Sequence, residues 1–458
     1  MGAVVGSRLT DSRQYAHLWG TAELARVFDE RARLQSWLDI LAALAAAQAR
    51  LGIIPAEAAA AITSHARAES LDLDFVAEQT RRTGHSMLGL IRGLQQVLPE
   101  SARELVYVGA TVQDVTDTWF ALVMRDVGGL VWRDLRAIEE SLVEIAAAHR
   151  DTVMVGRTHG QPGAPITFGF KVASWADEVR RHLDRLREGR PRWLVGQLAG
   201  AVGVLGFFEP AGPALRAEFC AGLGLGDPGI SWLTSRDRVA EFGAVLSMIC
   251  GTLARIGNEV YELQRPEIGE LREPTTSDVV GSITMPHKRN PEGSEHLDTL
   301  ARLVRAHAGV LMEGMVVGHE RDGRGWKAEW AALPEICLLT GTALDLARRL
   351  LAGLVVDVDA MRANVDRHGD RLASERLLAG LSVKLGKHAA QQVMHAALSP
   401  GSTDARPLVD ALVAVSAATE EECRGWLARP AAGSAGVMVD TVVGRARAAR
   451  TAEPNRWP

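Results

Sequence analysis

Aromatic residues are scarce in this chain: 3 Tyr and 9 Phe stand among 458 residues rich in Ala, Leu, Val and Arg. Ala, Leu and Arg are strong helix formers, whereas strands draw on aromatic and β-branched residues in alternation. Alternating apolar/polar runs bounded by turn residues are few. An extensive sheet is thereby excluded and an all-α chain is expected. Cysteine is rare as well. Cys220, Cys250, Cys337 and Cys423 lie far apart, and none belongs to a CxxC or Cys/His spacing. That argues against a disulfide framework and a zinc site, and for structural thiols in a reducing compartment.

The N-terminal MGAVVGSRLTDSRQY lacks the apolar core of about 7–15 residues that marks a secretory leader. The longest near-apolar stretch, Val195 to Phe208, holds Gln197 and four glycines. It falls short of the roughly 18–20 residues of a membrane span. A formal net charge of -5 and a pI near 6.3 supply no basic field for nucleic acid. These absences predict a soluble, cytoplasmic protein that engages neither nucleic acid nor membrane. A small anionic substrate needs only a local cluster of cations and amides, and that remains open.

What the chain does have is long helical periodicity. Leu34, Trp37, Leu38, Leu41, Leu44 and Leu51 form one stripe, closed by Gly52 and Pro55. Phe168, Val172, Trp175, Val179, Leu183 and Leu186 form another. Val239, Phe242, Leu246, Ile249, Leu253, Ile256, Val260 and Leu263 step by three and four alternately throughout, the seam of a coiled-coil-like bundle. Further apolar helices are expected over about 297–317 and 328–354. Together they predict a central helical bundle. The expected organisation is an N-terminal helical domain over 1–109, the bundle over 110–356, and a C-terminal helical domain over 357–458.

Two Gly/Pro-rich stretches interrupt the helices, GRTHGQPGAP (156–165) and PTTSDVVGSITMPHKRNP (274–291). Polar loops on a rigid scaffold are where chemistry tends to reside. In Gly281-Ser282-Ile283-Thr284-Met285-Pro286-His287-Lys288-Arg289-Asn290-Pro291, Ser282 lies six residues before Lys288. A serine hydroxyl becomes a base only where N–H dipoles and a cation stabilise its alkoxide. This loop has the parts for that, and it reads equally as a solvated basic loop. His159 sits between Thr158 and Gln161, donors suited to a carboxylate, although a loop histidine is also a common structural hydrogen-bonder. Thr111 in GATVQDVTDT opens a helix, either as a plain cap or as an anion site at that positive end. His85 in Thr83-Gly84-His85-Ser86 is a weaker signal by itself.

Taken together, these segments resemble the fumarase/aspartase superfamily, whose signature GSSxMPxKxNP is matched by GSITMPHKRNP at ten of eleven positions, free positions included. RLQSWLDILAALAAAQARLGIIP is similar to that family's first long helix, and MRANVDRHGDRLASERLLAGLSVKLGKHAA to its C-terminal domain. The resemblance implies a three-domain, mostly helical fold whose long helices form a twenty-helix core in a homotetramer. It also implies active sites shared among three subunits. It assigns Ser282 as general base, Lys288 and Asn290 as holders of a substrate carboxylate, and His159, paired with Glu295, as general acid. Thr111 becomes a carboxylate-binding hydroxyl and His85 an accessory histidine, with Thr158, Gln161 and Arg13 as further substrate contacts. Two positions depart from the pattern: Ile283 replaces the second serine of the loop, and Val112 replaces a hydroxyl beside Thr111. No metal or organic cofactor is implied.

Within the superfamily, Gln264 to Glu273, His287 and His319-Glu320-Arg321-Asp322 resemble the adenylosuccinate lyase and 3-carboxy-cis,cis-muconate cycloisomerase branch. Adenylosuccinate lyases hold a nucleotide phosphate with small and cationic residues where this chain carries Trp326 and Trp330, so an AMP-bearing substrate is disfavoured. The resulting expectation is elimination of a nitrogen-containing group, an amine or nitro group, from a 2-substituted succinate with release of fumarate. A muconate-type cycloisomerase is the alternative, and a noncatalytic structural relative the remaining one.

Overall fold

The computed structural model describes residues 9–275, 280–398, 407–429 and 431–457, and its architecture is all-α. After two short 3-10 turns come helices α1 (Ala22–Phe28) and α2 (Glu30–Arg50), followed by α3 (Ala56–His65), α4 (Leu73–Thr83), α5 (Leu88–Val97) and α6 (Glu100–Arg103). Asp29 starts α2 by accepting from the N–H groups of Arg31 and Ala32. The stripe Leu34, Trp37, Leu38, Leu41 and Leu44 is buried, as its spacing predicts.

The centre of the molecule is a set of five long helices: α7 (Val112–Ala148), α8 (Phe168–Trp193), α10 (Asp237–Gln264), α11 (Glu292–Glu313) and α12 (Gly323–Ala352). The short α9 (Gly212–Gly222) precedes α10. All eight residues of the three-four seam on α10 are at most 1% exposed. Among the described residues two helices, α10 and α12, are long and apolar enough to cross a membrane by composition, but most of each apolar window is buried against the rest of the protein. Their apolar surface is the core of the bundle.

Three of these helices are also locked by charge. Arg236, just before α10, donates to Asp117 on α7 at 2.7 and 3.0 Å and to Glu329 on α12 at 3.0 Å, and all three side chains are almost completely buried. Burial pushes both carboxyls above their ordinary range, while the two carboxylates hold the guanidinium charged.

The few strands form two small antiparallel pairs. Strand β1 (Val153–Thr158) pairs with β2 (Gln161–Thr167), and β3 (Leu271–Arg272) pairs with β4 (Val355–Val356). Beyond them lie α13 (Val358–His368), α14 (Ser374–Leu385), α15 (Lys387–Leu398), α16 (Leu408–Ala414), α17 (Glu420–Leu427) and α18 (Ala435–Ala452). Leu377, Leu381, Ala390, Leu408, Leu412 and Cys423 make a second hydrophobic cluster, separate from the main core. The final helix leaves that cluster: Val439, Val443 and Ala446 of α18 belong to the main core, against α7 and α8. The four cysteines are unpaired and buried.

Candidate active site

The segment expected to be a loop at 156–165 is a β-hairpin. Thr158 pairs with Gln161, and His159 and Gly160 form the two-residue turn with φ of 52° and 73°. Positive φ at both positions is the turn whose twist matches a hairpin, and it explains glycine at 160. Thr158, His159 and Gln161 are all exposed at the tip. Pro162 and Pro165 are tolerated because a two-stranded ribbon has free edges. The base of the hairpin is anchored by Arg157, which grips the fully buried Glu270 through two hydrogen bonds of 2.9 Å. Asn364 donates to the same carboxylate at 2.8 Å.

The Ser282 segment is non-helical, as its glycines and prolines require. The Ser282 hydroxyl oxygen accepts the Met285 N–H at 3.0 Å. That donor is of the type an alkoxide needs. Asn290 Nδ2 donates to the Gly281 carbonyl at 2.9 Å, closing the loop on itself. A Cβ at position 281 would lie 2.5 Å from the Lys288 carbonyl oxygen, so glycine alone allows this approach. Lys288 is exposed, and Ile283 is 94% exposed at the loop's crest. Thr276 to Val279 of the longer stretch lie outside the described residues. The segment ends where α11 begins, and Glu295 is exposed in that helix's first turn.

Thr111 caps α7. Its N–H donates to Asp114 at 2.9 Å, and Asp114 also accepts from Ala199 and Gly200. Burial pushes the Asp114 carboxyl up to about 7 despite those three donors, and the nearby Asp117 charge adds to the rise. The Thr111 hydroxyl accepts from Arg321 Nη2 at 2.7 Å. An exposed guanidinium thus stands at the positive end of a 37-residue helix, a strong local anion environment. Sequence reasoning saw Arg321 only as a branch marker. Its HERD context was the available signal, but the partner is 210 residues away.

His85 Nδ1 accepts the N–H groups of Met87 at 3.3 Å and Leu88 at 3.1 Å at the start of α5, so Nε2 is the ring nitrogen left toward solvent. Arg13 is exposed near the N-terminus. Among the described residues, no hydrogen bond or ion pair joins His159 to Glu295, or links the hairpin, the Ser282 loop, Thr111 and His85 to one another. Among the described residues no His/Cys/Asp/Glu group has the arrangement of a metal centre.

The helical scaffold thus presents a glycine-serine loop, a histidine hairpin and a cationic helix N-terminus, features that a carbon-acid lyase would need. Comparison with known proteins agrees. The Lyase family profile matches residues 20–306. The chain is 41% identical over 391 residues to the N-acetyl-S-(2-succino)cysteine lyase of Dickeya dadantii, covering 85% of this chain and 86% of that one. It is 37% identical over 398 residues to the adenylosuccinate lyase of Methanothermobacter thermautotrophicus, covering 86% and 89%. The crystal structure of the 3-carboxy-cis,cis-muconate lactonizing enzyme from Pseudomonas putida superposes with a TM-score of 0.86 at 33% identity, covering 95% of this chain and 99% of that one. The chain belongs to the lyase family of the fumarase/aspartase superfamily.

Proposed function

We propose that this enzyme eliminates a thiol from a 2-succino thioether, releasing fumarate without a cofactor. The observation that carries the elimination is the Ser282 hydroxyl, held in a glycine-serine loop with its oxygen on a backbone N–H and Lys288 in the same loop. A C–H beside a carboxylate is very weakly acidic, so the carbanion must be stabilised as its charge develops. Ser282 takes the proton, and Lys288 with Asn290 steadies the resulting aci-carboxylate. Thr111 and Arg321 hold the other carboxylate at the α7 N-terminus. The C–H electron pair becomes the C=C bond, and the C–S pair leaves on sulfur. His159, oriented by Glu295, gives the thiolate a proton. Thr158 and Gln161 flank that histidine, while His85 and Arg13 contribute to substrate binding.

Sulfur is preferred as the leaving atom because of the 41% identical relative, whose name specifies a succinylated thiol. The chemistry supports it: a thiol, with a pKa of about 8.5, departs as thiolate far more readily than an amine departs as an anion. The nitrogen leaving group expected from sequence is the second reading, supported by the 37% identical adenylosuccinate lyase. The site segments lie far apart in sequence and, among the described residues, no hydrogen bond or ion pair joins them, so we infer a homotetramer with each site built from three subunits.

The test is a panel of N-acetyl-S-(2-succino)cysteine, an N-substituted aspartate, nitrosuccinate and 3-carboxymuconate, read by fumarate absorbance and a thiol assay. Fumarate and free thiol in equal amounts from the first compound is the expected result. Turnover of only the nitrogen compounds, or of only the muconate, overturns it.

A further inference from the structure

Beside the Thr111–Arg321 pair lies an uncovered apolar surface. The segment AGAVGVLGFFEP (199–210) folds back on itself, the Leu205 N–H donating to the Ala199 carbonyl at 3.1 Å. Its start is tied to the candidate site: the Gly200 N–H donates to Asp114 at 3.1 Å, and the Gly200 carbonyl accepts from Arg321 at 3.5 Å. The Phe207 ring lies against Gly109, just before Thr111, and Gly203 lies against Ser231. Val204, Phe207 and Ile230 are 70%, 69% and 72% exposed, and Val202 is over half exposed. Large apolar side chains gathered in one place and left in water mark an interaction surface.

A second uncovered apolar surface is on the Ser282 loop, where Val280, Ile283 and Met285 are all exposed. The two surfaces are opposite in charge. Between 280 and 291 the loop carries His287, Lys288 and Arg289 and no carboxylate; Glu292 follows at the start of α11. The 199–210 segment carries a single charge, Glu209, and Glu320 stands next to Arg321. Glu209, Glu320, Lys288 and Arg289 are exposed and form no ion pair among the described residues. Arg321 is engaged by the Thr111 hydroxyl and Arg324 by Asp322, so neither offsets the two free carboxylates directly. Both apolar surfaces are exposed in the same chain, so neither covers the other, and a second copy is needed to bring them together.

We propose that the Ser282 loop of one subunit docks on the 199–210 surface of another, with Ile283 as its apolar key; this rests on the shared-site tetramer inferred above. Ile283 seats on Val204, Phe207 and Ile230, while His287 and Arg289 face Glu209 and Glu320. The docked loop brings Ser282 and Lys288 to the carboxylate held by Thr111 and Arg321. Burying the apolar side chains also removes water from around the serine, where backbone dipoles and Lys288 then act more strongly on its alkoxide. A serine at 283, the residue of the family signature, would bring a hydroxyl to this apolar seat and gain less from docking.

Cross-linking tests the contact directly, because the four native cysteines are buried. Ile283→Cys and Val204→Cys chains carrying different tags are co-expressed and purified through both tags. The short cross-linker bis-maleimidoethane should join the two kinds of chain, and neither variant alone should be joined. In activity, Ile283→Asp and Val204→Lys should each lower kcat about tenfold, and the double variant should recover several-fold over either, since every docked pair then joins opposite charges. An active dual-tag tetramer with no cross-link and no recovery overturns the docking and leaves the elimination standing. A Val204→Lys enzyme that loses only substrate affinity, with no cross-link, shows that the surface holds substrate and also overturns the docking. A cross-linked pair that releases no fumarate from the thioether supports the docking and defeats the elimination. A monomeric enzyme overturns the docking and the shared site together.

Discussion

Glu273 and Ser294 are joined twice: the Glu273 carboxylate accepts the Ser294 N–H at 2.7 Å and the Ser294 hydroxyl at 2.5 Å. The same carboxylate accepts the Gly293 N–H at 3.1 Å. A residue preceding the Ser282 segment thus caps the helix that follows it, and the segment is tied at both ends. Glu273→Ala should lower stability by about 1–2 kcal/mol, the usual cost of a lost helix cap. It should also reduce kcat, because the loop carrying Ser282 loses its anchor. Urea midpoints together with steady-state fumarate release check this, and an unchanged kcat would show that the loop holds itself.

Ser282→Ala should reduce turnover by a factor of about 1,000 or more, since it removes the hydroxyl proposed to take the proton, while circular dichroism stays native. A sharper outcome comes from mixing. Under the shared-site tetramer proposed above, Ser282→Ala and His159→Asn chains, each inactive alone, should regain part of the activity when co-refolded, because some mixed sites draw both intact residues from different chains. Sites assembled from a single chain would leave the mixture inactive.

Arg157→Ala should destabilise the protein by about 3–5 kcal/mol, because it leaves the Glu270 carboxylate buried without its guanidinium. The double variant Arg157→Ala/Glu270→Gln should recover part of that loss. Equilibrium unfolding in denaturant gives both numbers. A double variant no better than the single one would mean that the hairpin base depends on Arg157 packing and not on the charge pair.

Glu139 on α7 is almost completely buried 3.4 Å from Arg180, with Arg136, Arg450 and Glu453 also near, and neither of its oxygens accepts a hydrogen bond. Burial pushes its carboxyl from 4.5 up to about 7. The folded chain therefore keeps a proton that the unfolded chain releases. This group's contribution to stability is full below about pH 4.5 and is lost as pH rises through about 7. Glu139→Gln, which resembles the protonated form, should gain on the wild type by about 3 kcal/mol between pH 4.5 and 8. Denaturation midpoints at the two pH values test the sign, and a constant difference would show that folding leaves the Glu139 carboxyl unshifted.

The seam of α10 was fully legible because its cause is local: eight apolar residues at three-four spacing must share one face, and burying that face takes a continuous apolar stripe out of water. The non-helical character of the Ser282 segment was equally legible from its glycines and prolines. The part of the hairpin at 156–165 was read as a loop because Pro162, Gly163 and Pro165 obscure its strand alternation. Its register depends on the His159-Gly160 turn and on the Arg157–Glu270 pair.

By itself, then, the chain's order of residues determined which segments coil, which face of each helix turns inward, and which short stretch carries the serine, because those follow from neighbours within a few positions. Only the tertiary structure decided that Arg321 meets Thr111, that Glu273 caps α11, and that Arg157 meets Glu270. Pairings across dozens to hundreds of residues leave no period in the chain. They arise when the helices pack and each buried donor, acceptor and charge takes whatever partner that packing brings within reach.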